Sequence, residues 1–292
     1  MAGYMSFLEG PTVDYDEGVK KLREYLEDAD AVIVGAGFGL SVAAGLHDSG
    51  ERFECLFGDF EEDYGIHSMY AGACYRFDSE EEWWAYYTRW AWNNRYEPLP
   101  KDTYEKLKRL LEGKDYFILT TNIDHAFQRS GFPKERLHYT QGDLGLLQCA
   151  TPCHAKTYDN KEILMKIREN GISTKVPKEL IPRCPVCGGN MDFNLYWDDR
   201  FVRDSGWYKA HQRWNEYLNS HKKGKILFLE LGVGFNSPGV IKIPFWQEVK
   251  ANPQARFVTI DYSNPVTLNE IEDRSMGIRA DIDQVFADLL AD

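Results

Sequence analysis

Short apolar runs recur along the chain, and each is followed by glycine or by polar residues. They lie at residues 31–34, 116–120, 225–230 and 256–260. The runs are continuous rather than alternating, as expected for strands of a parallel sheet that helices cover on both faces. The pattern therefore predicts an α/β fold built on a parallel sheet.

A glycine-rich segment follows the first of these strands. Residues 14–28 place apolar side chains at helical spacing before the strand, and Gly35, Gly37 and Gly39 come after it. Strand, glycine-rich turn and helix open a nucleotide-binding βαβ unit, in which glycine lets the backbone approach a pyrophosphate. This predicts a Rossmann-like domain. Val42 replaces the last glycine of the fingerprint, so a tight turn without a ligand remains the alternative.

Polar or glycine residues stand where the other three strands end. Asn122 and Asp124 follow the second strand, Gly232 follows the third, and Asp261 follows the fourth. Ligands of open α/β sheets bind at the carboxyl ends of strands, so these loops are expected to meet in one crevice. The Asn122 amide could bind a ribose hydroxyl, and the Asp124 carboxylate could accept a bond from a carboxamide. An Asx turn that caps the next helix is the alternative.

Gln141 provides a side-chain amide that can form hydrogen bonds but cannot serve as a base, because a glutamine side chain neither gives nor takes a proton near neutral pH. His138 could act as a base. On an extended segment, however, it would face away from Gln141. We therefore predict that His138 is a surface or packed side chain.

Four of the six cysteines form two close pairs, Cys149 with Cys153 and Cys184 with Cys187. The second pair is followed by two glycines, which is typical of a zinc knuckle. Four thiolates hold zinc in a closed, structural site. Buried free thiols are the alternative, and His154 is a further candidate ligand.

Two segments do not fit the sheet. Residues 48–113 are rich in aromatic and acidic residues, and 80–96 are predicted to form a helix whose aromatic face packs in a core, with ligand stacking as the alternative. Residues 148–221 carry the cysteine pairs. We predict one domain, residues 1–292, in which a smaller discontinuous module joins a helical and a zinc-binding segment. Its Rossmann-like part is expected at about residues 14–47, 114–147 and 222–292.

The composition excludes some classes of partner. The formal net charge is −12 and the hydrophobic fraction is 43%. An acidic chain is a poor match for nucleic acid or an anionic membrane surface. No apolar stretch is long enough to span a bilayer, and residues 1–10 lack the pattern of a secretory signal. A cytoplasmic protein is therefore expected.

Taken together, these motifs resemble the sirtuin family over about residues 14–290. Residues 37–46 are similar to the family's G-A-G-I-S-x-x-S-G-I loop, and residues 121–124 to its Q-N-I-D. Gln141 stands at the His of its His-Gly, and the four paired cysteines at its zinc ligands. Residues 232–234 replace its G-T-S, and residues 260–261 its I-N.

The resemblance implies a sirtuin-type domain that binds NAD+ and zinc and cleaves the nicotinamide–ribose bond. It places Asn122, Gln141 and Asp124 as catalytic residues at the nicotinamide ribose and carboxamide. The glycine loop would take the pyrophosphate, and Asp261 would accept bonds from the adenosine ribose. The implied cofactor-binding residues are Ala36, Gly37, Phe38, Leu40, Ser41, Asp48, Arg52, Asn122, Ile123, Asp124, Gln141, Gly232, Val233, Gly234, Asn236, Asp261 and Tyr262.

Departures from the family pattern narrow the expected activity. Gln141 replaces the catalytic His, Arg52 is the candidate for the Arg of the family's Asp-Phe-Arg, and residues 196–201 replace its Phe-Gly-Glu strand. This pattern is similar to the macrodomain-linked class M sirtuins, which are protein ADP-ribosyltransferases. For that group the implied acceptor is a lipoylated protein like the glycine cleavage H protein, and the implied partner is a macrodomain hydrolase.

Three functions are therefore weighed. A mono-ADP-ribosyltransferase is favoured, because deacylation needs a base while loss of nicotinamide needs mainly positioning and electrostatic support. A lysine deacylase in which His138 supplies the base is the first alternative. A non-catalytic module that senses NAD+ is the second.

Overall fold

The computed structural model describes residues 12–171 and 173–291. Residues 1–10, for which no secretory signal is predicted, lie outside this part of the chain. The strands are β1 (Ala31–Ala36), β2 (Tyr116–Thr120), β3 (Leu137–Tyr139), β4 (Gly142–Cys149), β5 (Tyr158–Asp159), β6 (Met191–Leu195), β7 (Ile226–Leu231), β8 (Arg256–Asp261) and β9 (Ser275–Arg279).

Helices connect these strands, and their starts follow local capping. The Asp14 carboxylate accepts bonds from the first backbone N–H groups of the first helix, and Ser79 forms a capping box with Glu82 on the fifth. The helices are α1 (Tyr15–Asp28), α2 (Phe38–Ala43), α3 (Glu51–Tyr64), α4 (Met69–Ala73), α5 (Glu80–Ala91), α6 (Thr103–Leu110), α7 (Ala126–Arg129), α8 (Lys161–Glu169), α9 (Ser205–His221), α10 (Lys242–Ala251) and α11 (Ile282–Leu290).

A six-stranded parallel sheet organises the larger part of the molecule, in the order β3-β2-β1-β7-β8-β9. This is the strand order of a doubly wound nucleotide-binding fold, and it reverses between β1 and β7. The predicted α/β class and parallel sheet are confirmed. The sequence pattern did not reveal β3 and β9, because β3 has only three residues and β9 has no continuous apolar run.

Both faces of this sheet are covered. Along β1, Val32 and Val34 join the apolar cluster that contains side chains of α1, α6 and α11, while Ile33 joins the cluster that contains Phe245 and Trp246 of α10. Full burial of one such side chain stabilises the fold by about 1.5–3 kcal/mol. Burial on both sides explains why these strands are continuous apolar runs in the sequence.

A second, antiparallel sheet in the order β5-β4-β6 packs with α3 and α5 around an aromatic core. Tyr86, Tyr87 and Trp90 are buried, and Trp83 stacks on Tyr87 with ring centroids 4.1 Å apart, so the predicted core packing of this helix is confirmed. The α-helix ends at Ala91, and the chain continues as a π-helical turn, Trp92–Tyr96. The module boundaries stay a prediction.

No helix in residues 12–171 and 173–291 combines the length and the apolar character needed to cross a membrane. A cytoplasmic location stays a prediction.

Candidate active site

The loops after β1 and β7 lie in backbone contact where the strand order reverses. Gly37 donates its N–H to the Leu231 carbonyl oxygen (3.0 Å), and Gly39 donates to that of Gly232 (2.9 Å). A Cβ on either donor glycine would lie 2.6 Å from a Gly232 backbone atom. The glycines are therefore required by the close approach of the loops, and neither has a positive φ. Because these N–H groups are used between the loops, a pyrophosphate must find donors on neighbouring residues.

The other predicted residues of this loop are either buried in the interior or exposed to solvent. Ala36, Leu40 and Ser41 are buried, so they shape the start of α2 rather than face solvent. Phe38 is 51% exposed. Its ring is therefore the member of this group that is most open to a bound molecule.

Asn122 lies two residues beyond the end of β2 and is buried. Its backbone N–H donates to Thr120 Oγ1 (3.0 Å), and that hydroxyl donates to the Ala36 carbonyl oxygen (3.0 Å). The side-chain Nδ2 of Asn122 makes no hydrogen bond with any residue the structure describes. A buried polar group without a partner costs about 1–3 kcal/mol. A ligand that accepts a hydrogen bond from Nδ2 would satisfy this buried amide.

Asp124 is buried and braces two elements. It accepts bonds from the Ser41 hydroxyl of α2 and from the backbone N–H of Ala126 (2.9 Å) at the start of α7. Burial raises the pKa of Asp124, and these two hydrogen bonds act in the opposite direction. The Asx-type cap left open by the sequence is thus present. Both carboxylate oxygens are engaged within the protein, and a carboxamide would have to compete for them.

Gln141 lies between β3 and β4, where the chain leaves the parallel sheet. Its carbonyl oxygen accepts the Tyr196 N–H (3.0 Å). The next residue, Gly142, has φ 92°, and a Cβ there would lie 1.8 Å from the Asn194 carbonyl oxygen. Only glycine fits, so the backbone at Gln141 is held in place. Among the described residues, none hydrogen-bonds to the side-chain amide of Gln141.

A cavity of about 280 Å³ opens beside this amide. Gln141 shares its wall with His138, Trp207 and His211, and the Trp207 and His211 rings stack with centroids 5.1 Å apart. Arg203 also lines the cavity, and no carboxylate in the described part of the chain lies within ion-pair distance of it. The cavity is therefore aromatic, with one cationic side chain.

His138 is buried on the wall of this cavity, and its Nδ1 has no hydrogen-bond partner in the described residues. Burial lowers its pKa to about 4, and His211 and Arg213 add to the effect. The predicted packed environment is confirmed. His138 and Gln141 line the same cavity, and β3 ends at Tyr139, so the strand alternation on which the predicted opposite orientation depended does not extend to Gln141.

Arg52 does not extend freely into a crevice. Its guanidinium donates to the carbonyl oxygens of His47 (2.8 Å) and Asn93 (2.9 Å) and approaches the Met69 sulfur. The Asp48 carbonyl oxygen accepts the Met69 N–H (2.7 Å). Both residues therefore fix the segment before α3 to the helical module, and a direct role in NAD+ binding stays a prediction.

The adenosine side of the predicted site is the more open side. Asp261, at the end of β8, uses one carboxylate oxygen to accept the N–H groups of Ser263 and Asn264 (both 2.8 Å). Tyr262 is 80% exposed. In the loop after β7, Val233 is buried, whereas Gly234 and Asn236 are exposed. The other Asp261 oxygen has no partner among the described residues.

The four paired cysteines converge, although 31 residues separate Cys153 from Cys184. All four Sγ atoms lie within 4.8 Å of one another, and the distances from Cys149 to Cys187 and from Cys153 to Cys184 are both 3.7 Å. A tetrahedron with Zn–S bonds of about 2.3 Å has sulfur–sulfur edges of about 3.8 Å. The cluster could therefore hold a metal ion. His154 is outside it, and its Nδ1 lies 2.9 Å from Cys153 Sγ.

The cavity wall on α9 is not among the residues predicted from the sequence. Trp207, His211 and Trp214 recur at positions i, i+4 and i+7, which is the spacing of one helix face. That periodicity was the available signal. Nothing in the sequence shows that this face meets Gln141, since the contact joins residues that are far apart in the chain.

Known proteins with similar sequences and structures identify the family of this chain. A protein ADP-ribosyltransferase of Staphylococcus aureus (strain Mu50) is 34% identical over 271 residues, which cover 91% of this chain and 86% of the relative. Solved Sir2 structures share the fold: one bound to acetylated peptide gives a TM-score of 0.56 at 16% identity, covering 93% of this chain and 97% of the other. The chain belongs to the sirtuin family.

Two further relatives are informative. A probable bifunctional ADP-ribose hydrolase/ADP-ribosyltransferase of Fusarium oxysporum f. sp. cubense is 32% identical over 243 residues, 76% of this sirtuin but only 38% of the relative. A Pseudomonas aeruginosa protein named NAD-dependent protein deacylase 2 is 26% identical over 178 residues, which cover 61% of this chain and 64% of that protein. No family model matches the sequence.

Proposed function

We propose that this sirtuin is an NAD+-dependent protein mono-ADP-ribosyltransferase, which releases nicotinamide and transfers ADP-ribose to a protein acceptor. The observation that carries the proposal is that Gln141, whose side chain is an amide, lines the cavity just beyond the carboxyl end of β3. A glutamine cannot take a proton from a ribose hydroxyl, so the base-dependent half of deacylation lacks its group. The name of the Staphylococcus aureus relative supports the same activity.

Cleavage of the bond between nicotinamide and ribose depends mainly on how the protein positions the substrate. As the bond between nicotinamide and ribose breaks, positive charge develops on the sugar, and preorganised dipoles stabilise it. We assign Asn122 and Gln141 to the nicotinamide ribose, and Asp124 with the backbone of Ile123 to the carboxamide. Nicotinamide leaves with the bonding electrons, and an acceptor nucleophile then bonds to the anomeric carbon and loses its proton. The unpartnered buried Nδ2 of Asn122 supports this assignment.

The rest of NAD+ is assigned along the crevice at the strand-order reversal. The glycine loop faces the pyrophosphate, with Phe38 beside it. Gly232, Val233 and Asn236 flank the adenosine, and the free oxygen of Asp261 accepts from its ribose. We assign zinc to the cysteine cluster as a structural ion, because four thiolates leave no open coordination position for chemistry.

We propose a lipoylated protein like the glycine cleavage H protein as the acceptor, on the resemblance of the sequence to class M sirtuins. We also propose a macrodomain ADP-ribosyl hydrolase that reverses the modification. The Fusarium relative supports the second partner, since its name joins an ADP-ribose hydrolase and an ADP-ribosyltransferase in one protein.

The test is incubation of the protein with labelled NAD+ and lipoylated or unlipoylated H-like protein. We expect a labelled acceptor band and release of nicotinamide. Asn122→Ala removes the buried amide, and loss of one preorganised donor typically costs about 10²–10³ in rate. Asn219→Ala is the matched control, because Asn219 is exposed on α9. Transfer that continues at the wild-type rate in Asn122→Ala would contradict the assignment.

A lysine deacylase is the second candidate, and one observation favours it: His138 lines the same cavity as Gln141. Mass spectrometry of an acetylated or lipoylated peptide after incubation with NAD+ separates the two functions. Formation of 2′-O-acyl-ADP-ribose with no labelled protein would favour deacylation. Labelled acceptor with an intact acyl group would favour transfer.

A further inference from the structure

Asp143 is a buried carboxylate at which three segments of the chain meet. It is 2% exposed. One oxygen accepts from Arg95 Nε (2.8 Å) and from the Gly145 backbone N–H (2.7 Å), and the other contacts His125 Nδ1. A buried charge is expensive unless it is paired and hydrogen-bonded. Because both oxygens of Asp143 have partners, the carboxylate holds the three segments in a defined position.

Each partner belongs to a segment beside the proposed site. His125 directly follows Asp124, and Asp143 lies two residues after Gln141. Arg95 lies in the π-helical turn that continues α5, and single π-helical turns are frequent at functional sites. The contact thus joins the loop after β2, the start of β4 and the helical module.

The backbone at this point is strained. His125 has φ 61°, and it is the one non-glycine residue with a positive φ in the described ranges 12–171 and 173–291. Such a conformation costs about 1–3 kcal/mol and persists only where the surroundings hold it. A second bond between the same segments, from the Leu144 N–H to the Ile123 carbonyl oxygen (2.9 Å), runs beside the Asp143 contact.

We infer that Asp143 is a positioning residue, which sets the Asn122 and Gln141 amides in one geometry by holding their two segments together through His125 and Arg95. The inference rests on the proposed function for its kinetic consequence. Gly142, which only glycine can fill, lies between Gln141 and Asp143 and restrains the same stretch of backbone by its close approach to Asn194. Loss of the Asp143 charge weakens the contacts with His125 and Arg95, and we expect it to leave the β4–β6 pairing intact.

Asp143→Asn keeps the shape and removes the charge. We expect kcat for nicotinamide release to fall by about 10²-fold, the scale of an approximately 1 Å misplacement, with little change in KM for NAD+. Asp115→Asn is the matched control, because Asp115 also contacts an arginine and a histidine, Arg136 at 2.8 Å and His221 at 3.2 Å, but at an exposed position. It should leave both kinetic parameters unchanged.

A double-mutant cycle separates positioning from general damage. In a Gln141→Ala background, Asp143→Asn should cost much less than in the wild type, because coupled residues are not additive. Fully additive losses would overturn the inference. If Asp143→Asn does not fold, His125→Asn replaces it, since asparagine tolerates the left-handed backbone, and it should show the same non-additivity.

A readout without catalysis distinguishes this inference from the proposed function. The Gln141 side-chain amide resonance, assigned by its loss in Gln141→Ala, should shift in Asp143→Asn and not in Asp115→Asn. If the resonance shifts but the wild-type protein transfers no ADP-ribose, the positioning role is supported and the proposed function is contradicted. An unshifted resonance would overturn the positioning role even in an active enzyme.

Discussion

Gln141 and His138 line one cavity, three residues apart in the chain. No residue in the described part of the chain hydrogen-bonds to the Gln141 amide, and burial keeps the His138 imidazole neutral by lowering its pKa to about 4. A neutral imidazole of such low pKa is a weak base, because proton transfer is most efficient when the pKa lies near the working pH. The pair therefore supports bond cleavage by positioning more than catalysis by proton removal.

Replacing the amide by an imidazole tests this division. In Gln141→His the new imidazole stands at the half-buried position of Gln141, where it loses less of its solvation than the fully buried His138 does. We expect deacylation of an acyl-lysine peptide to rise, within the range of about 10²–10⁴ that a positioned base contributes. Mass spectrometry of acyl-ADP-ribose measures it. Gln141→Asn is the control and should gain nothing; equal deacylation by both variants would contradict the role assigned to position 141.

His138 should make stability depend on pH. Its pKa is about 4 in the folded protein and about 6.5 when unfolded, so between these values the unfolded chain binds more protons. Stability is therefore lost as pH falls from about 6.5 towards 4, by up to about 3 kcal/mol. Urea unfolding at pH 7 and pH 4.5 measures the loss. His138→Asn should reduce this pH dependence, whereas His67→Asn, at an exposed position, should not.

The sequence was most informative where a local pattern determines the structure. Continuous apolar runs predicted β1, β2, β7 and β8, because each is buried on both faces. Cysteine spacing predicted the four-sulfur cluster, because metal ligands come in short pairs. These signals need no knowledge of which distant segments meet.

The remaining features depend on long-range packing. His138 faces the Gln141 cavity because β3 is short, and no residue pattern gives the length of a three-residue strand. The contacts of Asp143 join Arg95 to a residue 48 positions later. The wall formed by α9 likewise depends on the packing of that helix against β2 and β3. Such contacts are set by the tertiary arrangement, so the individual residues carry no sequence signature.

The cysteine cluster should bind close to one zinc ion for each chain, because its geometry and donor set match a closed tetrahedral site. Elemental analysis of the purified protein measures the ratio. Cys184→Ser should lower both the zinc content and the melting temperature, since binding to a structural site contributes directly to folding. Cys55→Ser is the control, because Cys55 is a free, exposed cysteine outside the cluster. Full zinc content in Cys184→Ser would contradict the assignment.

Lys242 and Glu230 form an ion pair in the interior, with side chains 1% and 0% exposed. Thr259 Oγ1 donates a further bond to the carboxylate (2.8 Å). Burial raises the pKa of Glu230, and the ammonium of Lys242 opposes this shift. Lys242→Met leaves the carboxylate buried and unpaired. We expect a loss of about 3–5 kcal/mol in the free energy of unfolding, measured by urea denaturation.

Restoring charge balance should recover most of this loss. Glu230→Leu combined with Lys242→Met removes both charges of this pair. Apolar replacement of a buried ion pair is often neutral or stabilising. Lys250→Met is the control for removal of a lysine, because its pair with Glu270 is exposed and should contribute less than about 1 kcal/mol. If the double variant were no more stable than Lys242→Met alone, the loss would reflect packing of the lysine stem rather than an unpaired carboxylate.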